Sequence, residues 1–262
     1  MNNLKVDPHV HTIFTGHAYS TVAENVMIAA EKGLEAIAIT DHFGLHLPWF
    51  NRKREYNLEN HLKSSKLPKF MRGVRVFAGV EIDIIGFDGA LAGSEVPLSK
   101  ISDSGHNTFA DFVIGEKEMV IASLHYFDGF RDKDTAANTQ MYINVLANPN
   151  VDILGHPTRC GLEFDWAAIV AATKVHNKMI EINNETLRSR PHQTEANRKL
   201  ALLCAEAGVP ICVSSDAHIC FKVGEFDLVT DMLTEIDFPE ELIATRSLAA
   251  FEAALKLSRG AL

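Results

Sequence analysis

Short apolar runs recur along the chain, separated by longer stretches in which apolar residues return every three or four positions. The runs predict strands over Leu4–His9, Glu35–Thr40, Arg75–Val80, Met119–Leu124, Val151–Gly155, Met179–Ile182 and Pro210–Ser214. The stretches between them predict amphipathic helices. The first opens on a capping box, Thr21 with Glu24, and stops near Gly33; another runs from Asp165 to near Asn177; a third ends at Gly208, just before a strand. Short helices from Glu225 and from Ser247 close the chain. Strand–helix alternation predicts an α/β fold, a parallel sheet with helices outside. Seven repeats over this length favour a TIM-like (β/α)7 barrel over an open doubly wound sheet. The third connection departs from the pattern. Residues 82–113 carry no clean helical period and hold turn residues at Gly86–Phe87–Asp88–Gly89, so an irregular excursion is expected there. No linker or low-complexity tract intervenes, and the expectation is a single domain over residues 1–262.

Histidines and carboxylates interrupt the apolar pattern where strands end. His9 and His11 close the first strand, His42 and Glu81 follow the second and third, and His125 and His156 follow the fourth and fifth. Asp216 and His218 follow the last, and His17 stands beside Gly16 in the loop after the first. A hydrophobic strand has no structural use for such residues at its tip. In a parallel barrel the C-terminal strand ends and the loops after them share one rim. Six strands therefore deliver these residues to one place. Strand side chains alternate faces, so His9 and His11 point the same way, as do Asp216 and His218, and Asp7 is expected on the face of His9 and His11. Imidazole and carboxylate donors with no obvious thiolate set suit Zn, Mn, Fe or Ni. Nine ligands are too many for one tetrahedral ion and enough for two or three if a carboxylate bridges, with Glu81 and Asp216 the bridging candidates.

Each residue alone has an ordinary reading as a structural or solvated side chain; the joint pattern is what argues for a metal site. Other histidines fall outside it. His176 suits a helix C-terminus, His61 and His192 read as helix surface or helix start, His46 lies near the rim, and His106 has no assigned role. Cys160, Cys204, Cys212 and Cys220 form no CxxC and read as buried or free thiols of a reducing compartment; Cys160 and Cys220 lie near candidate ligands.

Charge narrows the function. The chain has 262 residues, 47% of them hydrophobic, with 25 Lys plus Arg against 34 Asp plus Glu, a formal charge of −9. That length supports one large core, and the acidic balance argues against broad nucleic-acid binding. Met1–Thr12 has neither a basic nor an apolar leader region, and no apolar run approaches the roughly 18 residues of a membrane helix, so a cytoplasmic protein is expected. Against this background Asn51–Arg75 carries eight Lys or Arg and two Glu, a balance of +6, directly after His42. Arg52 and Arg54, nearest the rim, are candidate contacts to an anionic substrate. So are Arg131 and Arg159, a few positions after His125 and His156; pairing with surface acids is the plain alternative. Trp49, Phe50 and Tyr56 in the same stretch can stack a ring or cover the barrel mouth. Asn183 and Asn184, after a strand that carries no ligand, are placed to hydrogen-bond the ligands themselves, and Asp7 is a second candidate for that role.

At these residues the chain resembles the PHP family, named for polymerase and histidinol phosphatase. Asp7–Pro8–His9–Val10–His11–Thr12 resembles its first motif and Thr40–Asp41–His42 its second. Gly79–Val80–Glu81, Ser123–Leu124–His125, Gly155–His156–Pro157 and Ser215–Asp216–Ala217–His218 match the later ones. His17–Ala18–Tyr19–Ser20–Thr21, Glu181–Ile182–Asn183–Asn184 and Val223–Gly224–Glu225–Phe226 are similar to the YcdX-like phosphatase branch. The resemblance runs end to end and implies a distorted seven-stranded barrel with a trinuclear site of divalent ions, zinc foremost, with Mn2+ or Fe2+ as alternatives. It assigns His9, His11, Glu81 and Asp216 to one ion, Glu81, His125 and His156 to a second, and His17, His42 and His218 to a third. Two departures stand out: Pro8 replaces the usual Leu, and Ser99–Ile114 is longer than in that branch.

The expected activity is hydrolysis of a small phosphomonoester by a metal-activated hydroxide, with Asp216 orienting or deprotonating the water. Histidinol phosphate is one such ester, and no residue pattern singles it out; nor does any pattern specify an oligomeric state. The alternatives are a nuclease or proofreading phosphodiesterase, amidohydrolase-like hydrolysis of a non-phosphate substrate, and a non-catalytic metal-binding protein. The acidic charge disfavours the first, the basic segment the second, and the complete ligand set the third.

Overall fold

A computed structural model of the chain describes residues 4–44, 61, 66–98 and 106–260. Its strands are β1 (Val6–Val10), β2 (Ala36–Ile39), β3 (His42–Phe43), β4 (Phe70–Met71), β5 (Val74–Asp83), β6 (Met119–Ser123), β7 (Ile153–Gly155), β8 (Met179–Asn183) and β9 (Ile211–Ser214). Seven of them form a parallel sheet in the order β1-β2-β5-β6-β7-β8-β9, while β3 prolongs the β2 edge along β5 and β4 turns back antiparallel onto it. The sheet curls until Val10 meets Ala217 in a parallel bridge, which nearly closes the expected barrel. The described α-helices are α1 (Val22–Glu31), α2 (Phe109–Gly115), α3 (Thr135–Ala147), α4 (Trp166–Val175), α5 (Asn184–Ser189), α6 (Thr194–Ala207), α7 (Asp227–Glu235) and α8 (Leu248–Ser258), with short 3-10 turns between some of them.

Local chemistry accounts for these boundaries. Thr21 and Glu24 form the reciprocal capping box that starts α1, Asp165 caps α4, and Gly208 ends α6 in the left-handed conformation. One element lies inside the expected excursion. Helix α2 starts at a second capping box, Thr108 with Asp111. It is only about two turns long, too short to print a helical period.

The alternation of side chains divides the core into two layers. Ile37, Ile39, Val76, Val80, Val120, Leu154, Ile180 and Val213 point outward and pack against the helices. Ala36, Ala38, Phe77, Met119, Ile121, Ile153, Met179 and Cys212 point inward, and α8 plugs that end of the barrel with Phe251 and Leu255. Farther along the same inward face the residues turn polar or small: Glu81, Ser123, Gly155, Glu181 and Ser214, all buried. One barrel end is therefore a dry plug, and the other is a polar floor.

Strand β1 breaks its own alternation. Val6 belongs to the inner layer and Val10 to the outer one, although both are even-numbered. The β1–β2 register shifts between Asp7 and Val10, around Pro8, which has no N–H to give the ladder. This bulge corrects the placement of Asp7. It lies behind His9 and His11 rather than beside them. Its carboxylate accepts from the Ser215 backbone N–H (3.1 Å), the Ser215 hydroxyl and the Gly224 N–H (2.8 Å).

Candidate metal centre

The polar end of the barrel gathers all the ligand-type residues singled out above. Strand β5 runs to Asp83 and pairs His42 of β3 with Glu81, so Glu81 sits inside a strand rather than past its tip. Glu81 is the hub. Its Oε2 faces His42 Nδ1 (2.7 Å), His9 Nε2 (3.3 Å) and His11 Nε2 (3.5 Å). Its Oε1 faces His156 Nε2 (2.7 Å) and His125 Nε2 (3.4 Å). Asp216 Oδ1 lies 3.2 Å from His11 Nε2 and 3.7 Å from His9 Nε2. His17 Nε2 meets His218 Nε2 at 2.9 Å. Four overlapping groups each offer ligand atoms within 4.8 Å of one another: His9–His11–Glu81, His9–His156–Asp216, His42–Glu81–His125 and His11–His42–His218.

The donors fit divalent cations. His9 Nε2 and His11 Nε2 are buried, make no hydrogen bond, and face carboxylate oxygens. Unbonded buried ring nitrogens are costly unless they bind something. The opposite nitrogens are held by protein acceptors, which orients each ring as metal sites require. His9 Nδ1 lies 2.6 Å from Glu181 Oε1, His125 Nδ1 2.9 Å from Asp83 Oδ1, and His218 Nδ1 3.0 Å from the Asp216 carbonyl. His11 Nδ1 lies 3.1 Å from the Thr15 hydroxyl, which donates to Asp41 at 2.7 Å.

Glu181 and Asp41 entered the sequence reading only as members of motifs, without a role, and Asp83 not at all. Glu181 left a trace there, an acid inside the apolar run Met179–Ile182. Its Oε1 also accepts the Ser214 hydroxyl (2.6 Å), and its Oε2 accepts the His156 backbone N–H. Asn183 reaches Asp216 Oδ2 at 3.4 Å and caps α5. His61, expected on a helix surface, is buried, with Nε2 2.9 Å from the His42 carbonyl.

The backbone is strained at two of the candidate ligands. His156 and Asp216 both have positive φ, 21° and 54°, a conformation that non-glycine residues rarely adopt outside functional sites. Gly155 lets β7 approach β6, since a Cβ there would lie 2.1 Å from Ser123 Oγ. Charges respond to the crowding. Burial pushes His11 down to about 3, so the ring is neutral and available to a cation. Burial also disfavours charge on His9, but Glu181, Glu81 and Asp216 outweigh it and hold His9 well above the usual imidazole value. Burial likewise opposes ionisation of Glu81 and Asp216. The histidines around Glu81, and His9 with Arg159 around Asp216, keep both carboxyls well below their ordinary range.

A cleft of about 470 Å³ opens beside His17, His42, His125 and His218, and its wall includes Arg131, Arg159 and Arg190. Arg159 is ion-paired with Asp216 Oδ2 at 2.7 Å. Arg131 donates to the Cys160 carbonyl at 3.0 Å. Cys160 touches Pro157 and Tyr142 rather than a candidate ligand, and burial raises its thiol. Arg52 and Arg54, with Trp49, Phe50 and Tyr56, lie outside the described residues. The far end of the basic stretch is at the other end of the barrel: Arg75, at the start of β5, is buried against Glu118 and stacks over Phe77 at 4.1 Å. Arg75 is therefore structural. All four cysteines are free, and no described helix is long and apolar enough to cross a membrane.

The chain matches the PHP domain model over residues 7–187 and belongs to that family. It is 37% identical over 243 residues to a protein of Clostridium botulinum named "Probable phosphatase", covering 91% of this chain and 88% of the relative. It is 35% identical over 251 residues to another of that name from Acetivibrio thermocellus, covering 96% and 95%. Among solved structures, its fold is similar to histidinol phosphate phosphatase of Lactococcus lactis, crystallised with zinc, L-histidinol and phosphate. That match has a TM-score of 0.62 at 18% identity and covers 90% of this chain and 95% of the other.

Proposed function

We propose that the protein is a metal-dependent phosphatase that hydrolyses a small phosphomonoester at a site of three divalent ions, with zinc the favoured metal. The observation that carries this reading is Glu81, whose two oxygens face two different sets of histidines. This is the disposition of a bridging carboxylate. His9, His11, Glu81 and Asp216 would hold one ion, Glu81, His125 and His156 a second, and His17, His42 and His218 a third. When bound, such ions acidify water and neutralise phosphoryl oxygens. The relatives named as phosphatases, and the zinc and phosphate bound by the Lactococcus lactis protein, support the same reading.

The chain's own residues divide the remaining work. Asp216 is held ionised by its neighbours, which makes it a weak base and a firm hydrogen-bond acceptor. Its role is to orient the attacking water. Arg159, paired with Asp216 and exposed to the cleft, is placed to donate to a phosphoryl oxygen. Glu181 and Asp83 keep His9 and His125 turned toward the metals.

Metal analysis of the purified protein should return about three ions per chain, as nine ligands shared among N/O-ligated sites imply. Phosphate release should be found with small monoesters and not with single-stranded DNA. Asp216→Asn should abolish turnover more than it weakens metal binding. A variant that retains its metals and a near-native rate would remove Asp216 from this role.

A further inference from the structure

We propose that Arg131 and Arg190 form a subsite for a second anionic group on the substrate, so that the preferred ester carries a carboxylate or another phosphate besides the one it loses. This rests on the phosphatase reading above and adds to it the class of substrate.

The charge balance of the cleft is the first observation. Asp and Glu outnumber Lys and Arg by 34 to 25 in the whole chain. Yet among the described residues the cleft wall holds Arg131, Arg159 and Arg190 and no carboxylate. Arg159 is answered by Asp216. Neither of the other two has an acidic partner among the described residues. Arg131 is committed to a carbonyl oxygen and to the face of Phe130, 4.7 Å from the ring centroid. The Arg190 side chain has no ion pair or hydrogen bond among the described residues. A guanidinium cannot shed its charge, and like charges lining one concave surface raise the local concentration of anions.

The second observation is how the arginines are mounted. Arg190 sits where α5 ends, its N–H bonded to the Thr186 carbonyl (2.9 Å) and its carbonyl to the Gln193 N–H (2.8 Å). Buried Asn197 ties this junction to the loop after β7, donating to the Gln193 carbonyl (2.9 Å) and to Thr158 Oγ1 (2.8 Å). The same loop carries Arg159 and the Cys160 carbonyl that Arg131 grips. Three connections thus hold three guanidiniums on one hydrogen-bonded frame. The third observation is room. About 470 Å³ is a small-molecule cleft rather than a phosphate niche, and Leu124, Tyr126 and Phe130 offer apolar wall for a carbon skeleton.

The test compares esters that differ by one anionic group, using the zinc-loaded full chain: glycerol 3-phosphate, 3-phosphoglycerate with its added carboxylate, and 1,3-propanediol bisphosphate with its added phosphate. At least one doubly anionic ester should exceed glycerol 3-phosphate in kcat/KM by about tenfold or more, the lower range for a charge-assisted contact. Which one does so identifies the second group. In Arg131→Gln/Arg190→Gln that ratio should fall toward one. A wild-type ratio near one, or equal losses on all three esters in the double variant, would overturn the subsite. Calorimetric binding of the same compounds separates the two readings. If none is hydrolysed, the phosphatase reading fails. The subsite then stands only if the doubly anionic compound binds about tenfold tighter and the double variant loses that margin; equal binding refutes it.

Discussion

Replacing Glu181 with glutamine should weaken zinc binding by about ten- to a hundredfold, although Glu181 belongs to none of the proposed ligand sets. The residue is fully buried and accepts from three donors. Oε1 takes the His9 ring at 2.6 Å and the Ser214 hydroxyl at 2.6 Å, and Oε2 takes the His156 backbone N–H. Glutamine fills the same volume but offers one acceptor oxygen. If that oxygen faces His9 and Ser214, the amide NH2 meets the N–H of His156, donor against donor. If it flips, the NH2 meets His9, and the ring loses the partner that fixes its tautomer. A lost hydrogen bond to a charged group is worth about 1.5–3 kcal/mol, and about 1.4 kcal/mol is a factor of ten. The two routes to the magnitude therefore agree. Competition with a chromophoric chelator measures the affinity. Ser214→Ala is the control, because it removes one of the three donors and leaves the carboxylate on His9; its zinc affinity should change little. A glutamine variant that folds and binds zinc within twofold of wild type would refute the claim that Glu181 sets His9.

Chelation should lower the thermal midpoint. Ions at about a thousand times their Kd add about 4 kcal/mol, which for a chain of this size is on the order of 10 °C; scanning fluorimetry before and after chelator, and after zinc is restored, checks both loss and recovery. Glu118→Gln should destabilise the protein in a pH-dependent way. Burial opposes the charge on Glu118, but hydrogen bonds from Arg75 and the Ala78 N–H hold its pKa below the usual value. A depressed carboxyl contributes above its unfolded value, about 4.3, and that contribution is lost as pH falls through the folded value. The midpoint difference between wild type and variant should be present at neutral pH and shrink below about pH 4. A difference independent of pH would mean that the pair acts through packing alone.

The seven strands of the parallel barrel were legible because each contains an apolar run, whichever face is inside; β3 and β4, two residues each, are too short to leave one. The cluster of candidate ligands was legible because no apolar strand explains a histidine at its tip. What the sequence does not display has physical reasons. Helix α2 is too short for periodicity to emerge. The face of Asp7 departs from strict alternation because a bulge resets it, and Pro8 is its only mark in the sequence. His61 reads as surface in a polar stretch and is buried through a contact remote in sequence. Arg75 looked like part of a basic segment aimed at the rim, whereas β5 carries it to the opposite end, where Glu118 neutralises it. Arg190 stood near no predicted strand tip, so only the packing of three connections brings it to the cleft.

The single bridge between Val10 and Ala217 gives the candidate site a mechanical role as well. The seam of the barrel is where its first and last strands meet, and among the described residues its ladder is reduced to that bridge, with the His11 N–H donating to the Ala217 carbonyl (2.9 Å). His9 and His11 stand on one lip of the seam; Asp216 and His218 stand on the other. Ions held between them would act as a clasp, joining residues that the chain can bring together only by folding nearly all of its length. Closing such a long loop has a large entropic cost in any unfolded chain. Completing the barrel and completing the ligand set would then be one event, and each lip would remain only half a site until the other arrived.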